Sequence, residues 1–337
     1  MEKPLVTLLL PCYNCEKTLD RFMRSVISEP YRPLELICID DGSTDDTAKL
    51  LKTFESILKE SGVQYTVLTQ ENIGLGGAIQ TGLLHAHGDF LCWADPDDFL
   101  LPGSVEKRAT YLLQHPACGA VSSDAFVFDE SDLKTPLYRE AARFSHRFEL
   151  MQFWYLLRGE GMVCAGCHMI RMRCFDEAVP NRMIYPARRG QNYQLMLPVC
   201  YKFPHAFLDE PLYGYVKYPN GMSAGDVTET DKLRRIAEHE TILLQTAKQI
   251  KMPEAEHQKC LDEIAKRYAL QRFYTAIDSR NKALLQEQYA ILKKHGAVTR
   301  DIKKLYRRNR TVLHKLCFKF YEGGKNYVQN FGDRARL

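Results

Sequence analysis

The first hundred residues alternate short, wholly apolar runs with segments of helical periodicity, and this alternation constrains the fold more than any other feature. The apolar runs are VTLLLP, ELICID, YTVLTQ and DFLCWAD, and the segments between them place apolar residues three and four positions apart. A strand that is apolar on both faces belongs in a parallel sheet with helices on both sides. The sequence therefore predicts an α/β fold with a mostly parallel, doubly wound sheet flanked by helices.

Beyond residue 103 the pattern changes twice. Residues 103–225 combine a predicted strand, AVSSDAFVFD, and a helix with Gly- and Pro-rich loops, whereas residues 226–315 show helical spacing almost throughout. We therefore predict a first domain at 1–225 and a helical C-terminal region at 226–337 that ends in a basic amphipathic tail. The tail interleaves basic residues with Leu, Phe and Tyr, which suits a helix on anionic lipid or a helix packed on the core with a solvated basic face.

Bulk composition excludes several classes of protein. A net charge of +4 from 46 basic and 42 acidic residues is too mild for a nucleic-acid binder. No apolar run reaches the ~18–20 residues that span a bilayer, and the N-terminal apolar run has no signal-peptide cleavage pattern. We expect a cytoplasmic protein, with peripheral contact at the inner face of the plasma membrane through the tail as an option.

Two cysteine pairs, Cys12/Cys15 and Cys164/Cys167, have the CxxC spacing of zinc and redox sites. The gap between the pairs is far larger than the ~15–20 residues of a ribbon-type zinc site. The total of 11 cysteines is odd, which favours reduced thiols in a reducing compartment.

Acidic residues follow the second and fourth apolar runs. Asp40 is the last residue of the run ELICID, and Asp41 follows it. Asp95 is the last residue of the run DFLCWAD, and Asp97 comes two residues later. Ligands bind outside the carboxyl ends of the strands in such sheets, and clustered carboxylates repel each other unless a cation or a donor-rich ligand neutralises them. Hard carboxylate oxygens suit Mg²⁺ or Mn²⁺ that also coordinates a substrate diphosphate. A structural interpretation also holds for part of this region, since residues 43–45 are of types that cap the next helix.

Four segments in order, PCYNCEKTL, ICIDDGSTDDT, ENIGLGGAIQTGL and HGDFLCWADPDDFLLP, resemble the opening motifs of family 2 glycosyltransferases. The resemblance covers residues 5–102. It implies a GT-A fold and an inverting, metal-dependent transfer of a hexose or related sugar from a nucleotide diphosphate sugar, with a UDP-sugar as the first candidate. The DxD motif would be Asp95-Pro96-Asp97.

The same resemblance implies roles for individual residues. Pro11 and Tyr13 would line the base pocket, with Asn14 among the donor-binding residues. Asp40 would accept a hydrogen bond from the base, with Asp41 beside it.

The resemblance assigns the acidic pair after the fourth apolar run to the other end of the donor. Asp95 would contact the ribose or the metal, and Asp97 would bind the metal that bridges the two phosphates.

The catalytic base is where this chain departs from the family. The family often carries Gly-Glu-Asp where this sequence has Gly190-Gln191-Asn192, and neutral amides cannot act as bases. Three options stay open: a base elsewhere, with Asp124 preferred over His168; an acceptor such as a phosphate that needs no strong base; or an inactive protein. The motif places Gln191 and Asn192 near the acceptor.

Two further segments bear on the donor. The family often has Ala-Arg-Asn where this chain has Ala78-Ile79-Gln80, so a polar contact near the donor is missing or supplied elsewhere. Arg188 and Arg189, beside the amide motif, could face phosphate or be solvated. The glycines at 74, 76 and 77 lack the third glycine of the dinucleotide fingerprint, which argues against a nicotinamide site.

Three functions compete. The transferase interpretation predicts a nucleotide sugar donor and a carbohydrate or lipid-linked acceptor, in the synthesis of a cell-surface polysaccharide or glycolipid. A nucleotidyltransferase would share the acidic metal site but should show a basic, Gly-rich phosphate loop near the N-terminus, where PCYNCEKTL stands. An inactive nucleotide-sugar-binding module is the third, motivated by Gln191 and Asn192.

Overall fold

The computed structural model describes residues 3–219, 221 and 226–310, which form two compact units. One unit contains the described residues up to 221 together with Gln245–Lys251, and the other contains residues 226–244 and 252–310. The basic tail from residue 311 onward lies outside the described residues. The domain boundary at residue 225 stays a prediction.

The first unit is built on a mixed sheet. Its strands, within the described residues, are β1 (Val6–Cys12), β2 (Leu34–Asp40), β3 (Val63–Thr69), β4 (Phe90–Trp93), β5 (Phe99–Leu100), β6 (Ala120–Asp129), β7 (Tyr138–Arg139), β8 (His168–Arg171) and β9 (His205–Lys217). They lie in the order β3-β2-β1-β4-β8-β6-β9-β5, with β7 paired to β6. The pairs β1–β2, β1–β4, β2–β3 and β6–β9 are parallel, whereas β8 runs antiparallel to β4 and β6. The predicted α/β class with a mostly parallel sheet is confirmed.

Helices connect these strands. They are α1 (Leu19–Ser28), α2 (Thr47–Glu60), α3 (Leu75–His85), α4 (Ser104–Gln114), α5 (Phe153–Arg158), α6 (Met172–Ala178) and α7 (Gln191–Lys202). Every residue of β1 and β2 is buried, which explains why their sequences are apolar throughout. The edge strand β3 instead begins with alternating buried and exposed residues.

The strand register places the carboxyl ends of β1, β2 and β4 side by side. Cys12 of β1 is level with Asp40 of β2, and Leu9 of β1 is level with Trp93 of β4. The segments that follow these strands therefore meet at one edge of the sheet, where ligands bind in open α/β folds.

The remaining helices confirm the predicted helical appendage. They are α8 (Glu229–Gln249), α9 (Glu254–Asp278), α10 (Lys282–Lys294) and α11 (Arg300–Asn309). Helices α9, α10 and α11 share a small apolar core that includes Phe273, Leu285 and Ile302. Asn281 and Thr299 cap α10 and α11, because each side chain accepts a hydrogen bond from a first-turn N–H. Among the described residues every helix is too short or too polar to span a bilayer.

Candidate active site at the carboxyl edge of the sheet

The end of β1 and the loop after it form one wall of the candidate site. Pro11 is buried at the end of β1, whereas the Tyr13 side chain that follows is 52% exposed. Asn14 has a positive φ of 49° and ties this loop to the end of β2: its Oδ1 accepts from the Thr44 N–H at 2.8 Å. The structure thus brings the predicted residues Pro11, Tyr13 and Asn14 beside Asp40, with an aromatic face open to a ligand.

The two carboxylates at the end of β2 have different surroundings, although both are buried. Asp40 Oδ1 accepts from the Ser43 N–H at 3.0 Å. Asp41 Oδ1 accepts from Gln70 Nε2 at 2.7 Å and from the Ile73 N–H at 3.0 Å, and Asp41 Oδ2 accepts from the Gly74 N–H at 2.9 Å. Asp41 therefore anchors the loop between β3 and α3.

The cap predicted for residues 43–45 is correct only in part. Helix α2 begins at Thr47 after Asp46, whose side chain makes no capping hydrogen bond. Asp45 does accept from the Thr47 N–H at 3.0 Å, but it also accepts from the Glu16 N–H at 3.1 Å. These polar residues mainly join the β1–α1 loop to the β2–α2 loop, a long-range role that local capping preferences do not reveal.

The carboxyl groups after β4 are crowded and poorly compensated. Burial, reinforced by the charge of Asp97, raises the pKa of Asp95 to about 7. Burial also raises the pKa of Asp97, while that of Asp98 is raised well above its usual range by burial and by both neighbours. Asp98 Oδ1 accepts from the Val216 N–H at 2.8 Å, whereas Asp98 Oδ2 has no hydrogen-bond partner among the described residues. Such a cluster favours an added positive charge.

The backbone of the acidic segment is clamped by residues that the sequence did not single out. The Asp97 carbonyl accepts from Arg21 Nη2 and, at 3.1 Å, from the Tyr218 hydroxyl. The Asp95 N–H donates to Tyr213 Oη at 3.2 Å. Tyr213 lies inside β9, and its side chain is fully buried.

A divalent cation fits this acidic segment. The described residues contain no cluster of three or more His, Cys, Asp or Glu side chains that could hold a metal. A Mg²⁺-type site nevertheless needs only one or two carboxylates, because substrate phosphates and water supply the other ligands. Asp95 and Asp97 offer such a pair, and burial raises the pKa of each even though the charge of Arg21 partly opposes the rise at Asp97.

Asn192, at the family's base position, is held by two protein partners. Its Oδ1 accepts from Trp93 Nε1 at 2.5 Å, and its Nδ2 donates to the Val163 carbonyl at 2.6 Å. The neighbouring Gln191 is buried at the start of α7. Trp93 ends β4, so these contacts place the amide motif beside the strand that leads into the DxD segment.

Asp124 lies in β6, where the register with β9 shifts. It is buried, and its Oδ1 accepts from the Ala125 and Ala141 N–H groups, both at 2.7 Å. Its Oδ2 accepts from Arg139 Nε at 2.6 Å. Both carboxylate oxygens therefore have protein donors, and the assignment of Asp124 as the base stays a prediction.

His168, the other candidate base, is enclosed in the sheet. It is fully buried, stacks on Trp93 with 5.6 Å between ring centroids, and lies 2.5 Å from Ser122 Oγ through Nδ1. The same hydroxyl contacts His205 Nε2 at 2.6 Å. Burial first, then the charges of His205 and Arg108, lowers the pKa of His168 well below its usual range. The imidazole is neutral and packed away from solvent.

Two glutamines fix the segment that precedes α7. Gln80 donates to the Arg182 carbonyl at 2.9 Å and accepts from the Ile184 N–H. Gln194 binds both the N–H and the carbonyl of Tyr185, at 2.7 and 3.0 Å. Gln80, the last residue of the stretch where the family often has Ala-Arg-Asn, thus holds this segment in place.

The fixed segment packs closely on the start of α3. A Cβ on Gly76 would lie 2.7 Å from the Ala187 carbonyl oxygen, so only glycine admits this approach. A Cβ on Gly74 would lie 3.0 Å from the Arg188 Cα. Arg188 therefore lies next to the loop that Asp41 anchors.

Known proteins share both the sequence pattern and the fold. WfgD of Escherichia coli, a UDP-Glc:α-D-GlcNAc-diphosphoundecaprenol β-1,3-glucosyltransferase, is 32% identical over 117 residues, which are 34% of this chain and 44% of WfgD. The chain spans less than half the length of the curated relatives it matches.

Two solved structures have the same fold. Staphylococcus aureus TarS 1–349 in complex with UDP-GlcNAc superposes with a TM-score of 0.63 at 16% identity, over 96% of this chain and 93% of TarS. The mannosyltransferase PcManGT from Pyrobaculum calidifontis, in complex with GDP-Man and Mn²⁺, gives a TM-score of 0.55 at 13% identity, over 96% and 89%. Both are GT-A glycosyltransferases, so the fold expected from the motifs is confirmed. The sequence model of glycosyl transferase family 2 matches residues 7–178, more than half of the 337 residues, and the chain belongs to that family.

Proposed function

We propose that this protein is an inverting glycosyltransferase that takes a sugar from a nucleotide diphosphate carrier, a UDP-sugar first among the candidates. The observation that carries the proposal is the meeting of three strand ends at one edge of the sheet, with an open Tyr13 ring, the buried Asp40 and the crowded carboxyls of Asp95 and Asp97, whose pKa values burial raises. The catalytic part would be the predicted domain at 1–225.

The donor would bind along this edge. Tyr13 and Pro11 would flank the base, Asp40 would accept a hydrogen bond from it, and Asn14 would keep the pocket in shape through its bond to Thr44. Asp41 would support the pocket indirectly, because its hydrogen bonds fix the 70–74 loop.

Asp95 and Asp97 would hold Mg²⁺ or Mn²⁺ together with the diphosphate. Bound there, the ion would offset the charge that develops on the departing nucleoside diphosphate. The clamp of Arg21 and Tyr218 on the Asp97 carbonyl would keep the acidic segment in place for that task. PcManGT, of the same fold, was solved with Mn²⁺, which supports a divalent cofactor.

On the acceptor side we place Asn192, Gln191 and, as the candidate base, Asp124. The acceptor would be a carbohydrate or a lipid-linked compound of a cell-surface polysaccharide or glycolipid. WfgD, which acts on a diphosphoundecaprenol-linked sugar, supports this class. A cytoplasmic enzyme held at the inner face of the plasma membrane by residues 311–337 would fit such an acceptor, and deletion of these residues should abolish binding to anionic vesicles at low salt.

A second candidate is a nucleotide-sugar-binding module without catalysis. The observation in its favour is that Asn192, at the family's base position, is a neutral amide occupied by Trp93 and Val163. This candidate shares the donor site and differs only in turnover.

The deciding experiment is a screen of UDP- and GDP-sugars for release of the nucleoside diphosphate, with Mn²⁺ and with EDTA. We expect release from one donor or a few, only with the metal. Donor binding without release or transfer, across a broad acceptor panel, would instead support the binding module. No binding of any nucleotide sugar would contradict both candidates.

A further inference from the structure

The position where the family places its catalytic carboxylate is shaped here for an amide. The Asn192 side chain uses one acceptor and one donor, towards Trp93 and the Val163 carbonyl. A carboxylate has no hydrogen to donate, so one of its oxygens would face the Val163 carbonyl at close range. Two electronegative oxygens at such a distance repel each other, and the site therefore selects Asn over Asp.

The partner of Asn192 is itself rigid. Trp93 is fully buried in β4 and stacks on the buried His168. Asp95 follows two residues later in the chain. Asn192 is thus a positioned amide next to the segment that would hold the donor diphosphate, and it offers no place for an abstracted proton.

The other two candidates for a base are engaged with protein groups in the part of the chain that the structure describes. Both oxygens of Asp124 accept hydrogen bonds, three in all, from Arg139 and two backbone N–H groups. His168 is enclosed in the sheet against Ser122 and Trp93. Of the options that the sequence left open, an acceptor that needs no base agrees best with these contacts.

A cationic residue precedes the amide motif in the chain. Arg188 is exposed, and it precedes Asn192 by four residues in the segment that Gln80 and Gln194 fix. Its backbone packs against Gly74, beside the loop that Asp41 anchors. The backbone that carries this positive charge is therefore held in place, and it lies four residues before Asn192 in the chain.

We propose that the acceptor is a phosphate monoester, which Asn192 positions and Arg188 attracts; this inference rests on the proposed transferase function. In the reaction a phosphate oxygen, already anionic, would attack the anomeric carbon as the bond from that carbon to the donor diphosphate breaks. The products would be a glycosyl phosphodiester and the nucleoside diphosphate, which keeps the bonding electron pair. No proton has to be removed, so this reaction would need no protein base.

The phosphate could end a lipid or a polar polyol, and matched acceptors separate these sources. The full chain, loaded with UDP and Mn²⁺, is titrated by calorimetry with hexyl phosphate against hexanol and with glycerol 3-phosphate against glycerol. We expect the phosphate to bind at least about tenfold more tightly than its alcohol in one pair. Preference in the hexyl pair indicates a lipid phosphate, and preference in the glycerol pair indicates a polyol phosphate.

Variants test the residues involved. Asn192→Asp and Arg188→Gln should each weaken binding of the preferred phosphate about tenfold or more, because the first adds a repelling charge and the second removes an attracting one. The matched control Lys52→Gln removes an exposed cation from α2 and should leave binding unchanged. UDP affinity and the thermal unfolding midpoint of each variant show whether it is folded.

With the donor that the screen identifies, transfer gives an independent readout. Transfer should occur to the preferred phosphate and not to its matched alcohol, because the attacking phosphate oxygen is already anionic. Equal binding of phosphate and alcohol in both pairs, or unchanged phosphate affinity in both variants, would overturn the inference. Failure of the wild type to bind UDP would instead count against the proposed donor, and is seen before any acceptor is added.

Discussion

Two acidic sites in the same sheet differ in what the protein provides for them. The carboxylate of Asp124 accepts three hydrogen bonds, one from Arg139 and two from backbone N–H groups. The carboxyl groups of Asp95 and Asp97 are partly buried; burial raises the pKa of both, and the protein compensates them poorly. A buried carboxylate with enough donors stabilises the fold, whereas one without them is prepared for a ligand.

The same contrast recurs between neighbours at the end of β2. Asp41 accepts three hydrogen bonds from the 70–74 loop. Asp40 accepts from Ser43 through one oxygen. Hydrogen-bond saturation thus separates adjacent residues of one motif into a structural role and a candidate binding role.

The largest effect is expected from Asp124→Asn. An amide in this position cannot accept all three hydrogen bonds of Asp124, but Arg139 is 40% exposed and keeps Asp209, so solvent screens its charge and the expected cost is about 2–3 kcal/mol. Urea unfolding would measure the loss. As a matched control, Asp209→Asn removes the exposed partner of the same Arg139 and should cost about 1 kcal/mol or less.

If Asp124 acted as the base, its loss would appear mainly in turnover. The expected drop in transfer rate would be about 10² to 10⁴ at unchanged donor affinity. If Asp124→Asn stayed as stable as the wild type and lost transfer, Asp124 would not have the structural role that distinguishes it from Asp95 and Asp97.

The next effect concerns buried histidines that have no charged partner to compensate them. Burial lowers the pKa of His205 from its usual 6.5 to about 4. Since the folded pKa is lower than the unfolded one, the unfolded chain binds more protons below pH 6.5, and stability falls as the pH drops towards 4. At pH 5 the loss should be about 2 kcal/mol.

Urea unfolding at pH 7 and pH 5 tests this value. The variant His205→Gln, which cannot titrate, should show a smaller difference between the two pH values than the wild type. Replacement of the exposed His85 by Gln should leave the difference unchanged. Equal pH dependence in all three proteins would contradict the assignment.

The smallest effect separates Asp40 from Asp41. Asp40→Asn should weaken UDP binding about tenfold even in EDTA, because it removes a charged acceptor from the base without touching the metal site. Asp41→Asn should instead lower the unfolding midpoint, since an amide cannot accept all three hydrogen bonds of the 70–74 loop. The reverse pattern would exchange the two roles.

The sequence predicted the position of the acidic strand ends far better than the clamps around them. The wholly apolar runs place Asp40 and Asp95 at the same edge of the sheet, after the two strands on either side of β1, because parallel strands align their carboxyl ends; the family resemblance adds Pro11 and Tyr13. The contacts of Arg21, Tyr213 and Tyr218 with the acidic segment join residues 76 to 121 positions apart, and no local pattern encodes such distances.

The acceptor side was less predictable for the same reason. The sequence showed an amide at position 192 but not that it bridges Trp93 and Val163. It also favoured Asp124 over His168 as a candidate base. Whether such a carboxylate is open or bonded depends on Arg139 and the turn at Ala141, which only the folded chain reveals.

The central claim is that Asp95 and Asp97 are prepared for a cation and a diphosphate. Calorimetric titration of UDP into the wild type and into Asp97→Ala, each with Mn²⁺ and with EDTA, tests it most directly. We expect Mn²⁺ to tighten UDP binding strongly in the wild type. With Mn²⁺ present, Asp97→Ala should bind UDP at least about 100-fold more weakly than the wild type, a larger loss than removal of a residue that only hydrogen-bonds to a metal ligand would cause. UDP affinity that is the same in both proteins with Mn²⁺ present would contradict the account.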